Sequence, residues 1–200
     1  MLSASTCQNG CMTGKREAKR RDKTERVRRA AHDIFSTVPF DSVTTAQLAE
    51  RAGLTTGTFF RYATSKAELF IDTYSTVLEE CLASARALPE DTPPRDRILT
   101  LVDPMISATE RHPGNVSAFQ REVLFGAGHG PHRERAVELV IEIEREIKTI
   151  LGGDRQLAHA VYATLYMAIV RVAVGTLAPE SLRSNIEARV DFLLDAHAER

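Results

Sequence analysis

The run from Thr44 to Ala63, TTAQLAERAGLTTGTFFRYA, admits few folds. Leu48, Ala49 and Ala52 fall at i, i+1 and i+4, one face of a helix. Gly53 follows, where a chain leaving a helix turns left-handed, a backbone that glycine adopts without steric cost. Leu54 packs back, and Thr55 can cap a second helix over Thr56 to Tyr62. Upstream, Val27, Ala30, Ala31, Ile34, Phe35 and Val38 make a helical stripe within 23–38, with Arg26, Arg28, Arg29 and Asp33 outside it. Pro39 stops that helix, and Phe40 is left to fill the junction. Thr44 or Thr45 then caps the next one. The pattern predicts helices over 23–38, 45–51 and 55–62, the last two joined by a glycine turn. That is a helix-turn-helix, spanning 44–63.

Such a unit lays its second helix in the DNA major groove, the N-terminal residues toward base edges. Thr55, Thr56, Thr58 and Arg61 are the expected readers: threonine bonds a base edge or touches a thymine methyl, and arginine grips guanine through two acceptors. Gly57 would let the helix approach DNA closely, whereas Phe59 reads as core. Thr44 and Thr45 are expected at the phosphates. Lys66 is expected there too, as a cation at the start of a helix where free N–H groups and the dipole favour anions. Phe60 and Tyr62 complete the expected DNA-binding set.

The arginine-rich first helix, the turn PFDSVT and the run QLAERAGLTTGTFFRYATSKAELF together resemble the DNA-binding domain of the TetR family of bacterial regulators. Ala49, Gly53, Gly57, Thr58, Phe59, Tyr62, Ser65, Lys66 and Leu69 carry the likeness, over residues 23 to 72. Two positions depart from it. Phe60 stands where the family usually has a phosphate-contacting tyrosine, so that contact is lost or supplied by a neighbour. Ala63-Thr64 stands in place of an aromatic residue and proline, which predicts a looser corner.

Charge is segregated. Residues 1–66 hold twelve Lys/Arg against six Asp/Glu, net +6, while the remainder holds fourteen against twenty-one, net −7. A basic DNA-facing module joined to an acidic module follows. Residues 1–20 read as a disordered basic arm ending in KREAKRR, either tracking DNA or solubilising the start. Residues 21–80 read as the DNA-binding domain, and 81–200 as a helical effector-binding and dimerisation domain. The three cysteines, Cys7, Cys11 and Cys81, make no even framework, and Cys7 and Cys11 lack a second ligand pair for zinc. No secretory signal opens the chain, and Ala160 to Val170 is too short to span a bilayer. A cytoplasmic location is the expectation.

Beyond position 66 the periodicity is helical throughout, at about 66–87, 94–111, 115–126, 132–151, 155–175 and 181–198, giving an all-α chain of about nine helices. Leu157 to Val174 is apolar nearly all round and so needs burial on all sides. Leu157, Val161, Leu165 and Ile169, with Ile186, Val190 and Leu193 of the last helix, are the expected dimer interface. The TetR resemblance implies the same: its two C-terminal helices form a four-helix interface with a partner. Met105, Phe119, Tyr162 and Tyr166 would suit an apolar ligand between helices. Arg171, a charge in an apolar helix, could face an effector carboxylate, pair with Asp103 or Glu122, or reach the surface.

His112, His129 and His132 lack companions for a metal site, and the stripe Glu134, Glu138, Glu142, Glu146 reads as a solvated face. No phosphate loop, nucleophile elbow or catalytic triad is present, so neither an enzyme nor a cofactor is expected. The expected protein is a homodimeric TetR-like repressor of a palindromic operator, released when a small-molecule effector moves the fourth helix. An activator, a ligand-independent regulator, or a helical enzyme or carrier containing a helix-turn-helix are the alternatives.

Overall fold

A computed structural model describes residues 8–126 and 130–199, with side chains from residue 16 onward. It contains nine α-helices among the described residues and no strand. These are α1 (Gln8–Phe35), α2 (Thr45–Arg51), α3 (Thr56–Phe59), α4 (Lys66–Arg86), α5 (Pro94–Arg111), α6 (Pro113–Phe125), α7 (Pro131–Ile150), α8 (Arg155–Ala173) and α9 (Leu182–Ala198). Short 3-10 turns occupy Phe40–Ser42 and Pro179–Ser181.

Local chemistry sets the boundaries. Thr44, Thr55, Ser65 and Asp154 cap their helices, each side chain accepting a backbone N–H three residues on. Proline opens α5, α6 and α7 at a position where its missing N–H costs nothing. Helix α1 begins at Gln8, well before the Lys23 start that apolar periodicity indicates. Residues 8–20 of the expected disordered arm are therefore helical, although residues 16–22 pack against no core. Residues 1–7, with Cys7, and the side chain of Cys11 lie outside the described residues.

Helices α1 to α3 close over Val27, Ala31, Phe35, Leu48, Ala49 and Phe59, all essentially buried. The core continues without a break into the C-terminal helices. Helix α4 runs through both halves, packing on α1, α5, α6 and α7. Five aromatic rings connect the halves. Phe35 and Phe40 both meet Phe70, at 5.0 and 4.4 Å between centroids. Phe70 meets Tyr74 at 4.7 Å, and Tyr74 meets Phe119 of α6 at 5.9 Å.

Candidate DNA-binding face and effector cavity

The turn between α2 and α3 forms as its sequence demands. Gly53 adopts φ +64, and its N–H and that of Leu54 donate back to Glu50 and Ala49. Arg26 completes it: one guanidinium nitrogen donates to the carbonyls of Ala52 and Gly53 at 2.6 and 3.0 Å. Those are carbonyls the helix end leaves without partners. Arg26 lies off the apolar stripe, so periodicity alone does not reveal this role. Arg28 is likewise structural, gripping Asp72 of α4 at 2.8 Å, and this contact raises the pKa of its guanidinium.

Helix α3 is shorter than the expected 55–62. After Phe59 the chain tightens, Arg61 and Tyr62 donating to carbonyls three residues back. Phe59 points inward and is fully buried. Thr56, Gly57, Phe60 and Arg61 point outward, at i, i+1, i+4 and i+5, onto one exposed face. The Arg61 side chain makes no hydrogen bond or ion pair among the described residues. Phe60 is 52% exposed, its ring edge-on to Phe59. A Cβ on Gly57 would meet nothing within 4 Å, and its φ is not positive, so nothing inside the chain requires glycine there. Thr55 and Thr58 bond to each other, Oγ1 to Oγ1 at 2.9 Å. Thr44 is held in a capping box with Gln47, while Thr45 opens α2 half-buried. Tyr62 is half-buried, with the Lys23 ammonium 5.7 Å from its ring centroid.

Lys66 departs from expectation. Its ammonium donates to the carbonyls of Phe40 and Val43 at 2.9 and 3.0 Å and sits 4.1 Å from the Phe40 ring centroid. The side chain fastens α4 to the segment before α2, because an ammonium gains more from two fixed carbonyls and a ring face than from solvent. The corner at Ala63-Thr64 is not loose either: Ala63 is buried, and Ser65 caps α4.

The N-terminal part of α6 holds the back of this unit. Asn115 is 1% exposed. Its amide donates to Phe35 and Val38 carbonyls at 3.0 and 3.2 Å and accepts the Phe40 N–H at 2.7 Å. His112 donates from Nε2 to the Ser36 carbonyl, and Arg121 pairs with Asp41. On α7, His132 meets Asp72 at 3.0 Å; His129 lies outside the described residues. Part of the glutamate stripe on α7 is not a solvated face, since Arg86 of α4 takes Glu142 and Glu146.

A cavity of about 120 Å³ lies between α4, α5, α6, α7, α8 and α9. Met105, Phe119, Tyr162 and Tyr166 line it, as does Cys81, whose thiol burial pushes up to about 12 and so keeps neutral. Polar groups are sparse: the Gln120 amide, the two tyrosine hydroxyls and that thiol. Among the described residues lining it none is charged. Arg171 is not among them. It sits half-exposed at the end of α8, and Asp103 pairs with Arg183 instead.

The expected dimer residues lie largely inside the protomer. Val161, Leu165, Ile169, Ile186 and Val190 are all below 9% exposed in the single protomer, and Leu157 and Leu193 are half-buried against the same core. Helix α8 spends that stripe on its own protomer. Its outward face instead carries Ala163, Met167 and Val174, and α9 presents Ala188, Phe192 and Ala196. Met167, Val174 and Phe192 are 53, 66 and 70% exposed.

Residues 27–73 match the bacterial regulatory proteins of the tetR family. That segment carries a TetR-type DNA-binding domain. The match covers the helix-turn-helix, Arg26's neighbour Val27 onward, and the first part of α4. The nucleoid occlusion factor SlmA of Vibrio vulnificus is 28% identical over 142 residues, 70% of each chain. The SlmA of Shewanella pealeana is 26% identical over 156 residues, 74% of this chain and 79% of the relative. Solved structures share the whole fold. Thermus thermophilus FadR, a TetR-family transcriptional repressor in complex with lauroyl-CoA, superposes with TM-score 0.64 at 23% identity, covering 86% of this chain and 93% of that one. A transcriptional regulator from Rhodococcus sp. gives 0.66 at 18%, covering 86 and 96%. No helix among the described residues is long and apolar enough to cross a membrane.

Proposed function

We propose that this protein is a TetR-like homodimeric repressor that reads a palindromic operator and releases it on binding a small molecule whose buried part is uncharged and largely apolar. The observation that carries the reading is the outward face of α3, where Thr56, Gly57, Phe60 and Arg61 stand exposed on a fixed scaffold. A guanidinium without an internal partner, beside a glycine that no internal packing requires, fits base-edge contact in a major groove. Lys66 is not part of this contact. Phosphate binding falls to the Thr45 region.

The effector reading rests on the cavity. A carboxylate or ammonium placed there would lose its hydration with nothing to replace it, so the part of the ligand inside is neutral. FadR, a structural neighbour, holds lauroyl-CoA, whose acyl chain is such a group. The ligand must favour the conformation with separated recognition helices, since equal affinity for both states shifts nothing. A partner would cover Met167, Val174 and Phe192, setting two α3 faces about 34–36 Å apart for half-sites one DNA turn apart.

Selection of bound duplexes from a random pool, at two salt concentrations, tests the reading. An enriched palindrome is expected, and Arg61→Ala should cost about 1–3 kcal/mol on it and relax base choice at one position per half-site. Binding that follows salt alone, with no motif enriched, would refute it.

A further inference from the structure

The N-terminal part of α1 has no structural purpose within the protomer. Residues 16–22 are all exposed, and apolar burial begins only at Val27. Yet the segment is helical and strongly basic. Arg16, Lys19, Arg20 and Lys23 fall at 0, 3, 4 and 7, a single stripe about 100° wide. Glu17, Asp22 and Glu25 all lie off that stripe. Like charges at Arg16–Arg20 and Lys19–Lys23, four residues apart, oppose the helix. Arg16, Lys19 and Arg20 make no ion pair among the described residues.

The stripe has a fixed origin. Lys23 lies over the ring of Tyr62, at the C-terminal end of the recognition segment, and Arg26 holds the turn between α2 and α3. Helical rise then carries Arg16 about 10 Å beyond Lys23, along a stretch of α1 whose side chains are all exposed. Neighbouring phosphates on one strand are a few ångströms apart, so three cations over that distance match a stretch of backbone.

From this placement we infer that the Arg16–Lys19–Arg20 stripe is a second DNA contact, binding phosphates of the duplex that flanks each half-site. The inference rests on the DNA-binding reading above. The contact is electrostatic: it lengthens the footprint and adds affinity without reading bases. The partner is duplex DNA because the stripe starts at Lys23, which lies over Tyr62, the residue after Arg61, and its charge complements a polyanion of regular spacing.

The test compares full-length protein with an Arg16→Ala, Lys19→Ala, Arg20→Ala variant, alanine keeping the helix. Affinity is measured against salt on two duplexes: one ending at the outermost bases of the selected motif, the other carrying ten further base pairs on each side. Wild type should bind the longer duplex more tightly and with a steeper salt dependence, by about 0.9 in log–log slope per added phosphate contact. The variant should lose that difference and keep the same ranking among mutated motifs. Equal slopes for wild type and variant on the longer duplex would overturn the inference. So would a variant that fails only on anionic phosphatidylserine vesicles, which would make the stripe a membrane contact. Arg61→Ala separates the two readings: if it changes base choice while the triple variant behaves as wild type, the recognition face stands and the flanking contact falls. If no duplex shows sequence preference with any protein, both fall.

Discussion

At the residue scale, two side chains that look alike in sequence part company in the structure. Lys66 and Arg61 are both cations close to the recognition unit. Lys66 is consumed by the carbonyls of Phe40 and Val43 and by the Phe40 ring, whereas Arg61 is exposed. Sequence could not distinguish them, because the acceptors for Lys66 lie 23 and 26 positions away on an irregular segment. Lys66→Met, which keeps the stem and removes the charge, should lower stability by about 2 kcal/mol by thermal denaturation, the scale of lost bonds to a charged group. Its salt dependence on DNA should match wild type. A slope shallower by one unit with unchanged stability would return Lys66 to the phosphates. Gly57→Ala makes the opposite test. The new methyl meets nothing inside the protein, and alanine favours helix by up to about 1 kcal/mol, so stability should hold or rise. Operator affinity should fall, because the methyl stands where DNA approaches. Unaltered affinity would mean that the α3 face does not meet DNA closely at that point.

At the element scale, most of the helices were legible because each carries its own punctuation. Thr44, Thr55, Ser65 and Asp154 cap, prolines open α5 to α7, and Gly53 ends α2. The start of α1 was not legible, since residues 16–22 bury nothing and so leave no apolar period to read. The role of α6 was hidden for another reason: it depends on two ends of one helix meeting different neighbours. Its first turn holds the DNA-binding unit through His112 and Asn115, and its later residues Phe119, Gln120 and Val123 line the cavity. Phe119 is also the last ring of the aromatic series leading from Phe35. An effector that shifts Phe119 therefore moves the element on which Phe35, Val38 and Phe40 depend. Asn115→Ala strands one buried N–H and two carbonyls, and each unsatisfied group costs about 1–3 kcal/mol. Beyond the lost stability, the variant should bind effector as wild type does, measured calorimetrically, yet show a smaller effector-induced fall in operator affinity. A fall equal to that of wild type would place the coupling elsewhere, in α4 alone.

At the scale of the whole molecule, the proposed dimer raises the question of which surface of α8 and α9 would meet a second copy. Apolarity all round α8 shows that two faces need cover, but not which of them the protomer itself covers. The structure assigns Val161, Leu165 and Ile169 to the protomer, leaving Met167, Val174 and Phe192 in water. A two-fold interface uses the same patch on both copies, so two substitutions per chain place four charges within one contact. Met167→Glu with Phe192→Glu should give a monomer by analytical ultracentrifugation at micromolar concentration. The protomer should stay folded by circular dichroism, because both side chains are exposed and leave no cavity in the core. Operator binding should drop to that of an isolated half-site, with base preference within the half-site kept. Val161→Glu is the contrasting case. At 0% exposure it buries an unpaired carboxylate, so it should unfold the protomer rather than separate dimers. A double variant that still sediments as a dimer would exclude the Met167–Phe192 face. The half-site spacing would then have to be set by another surface, and the selected operator's centre-to-centre distance would no longer follow from the placement of α8 and α9.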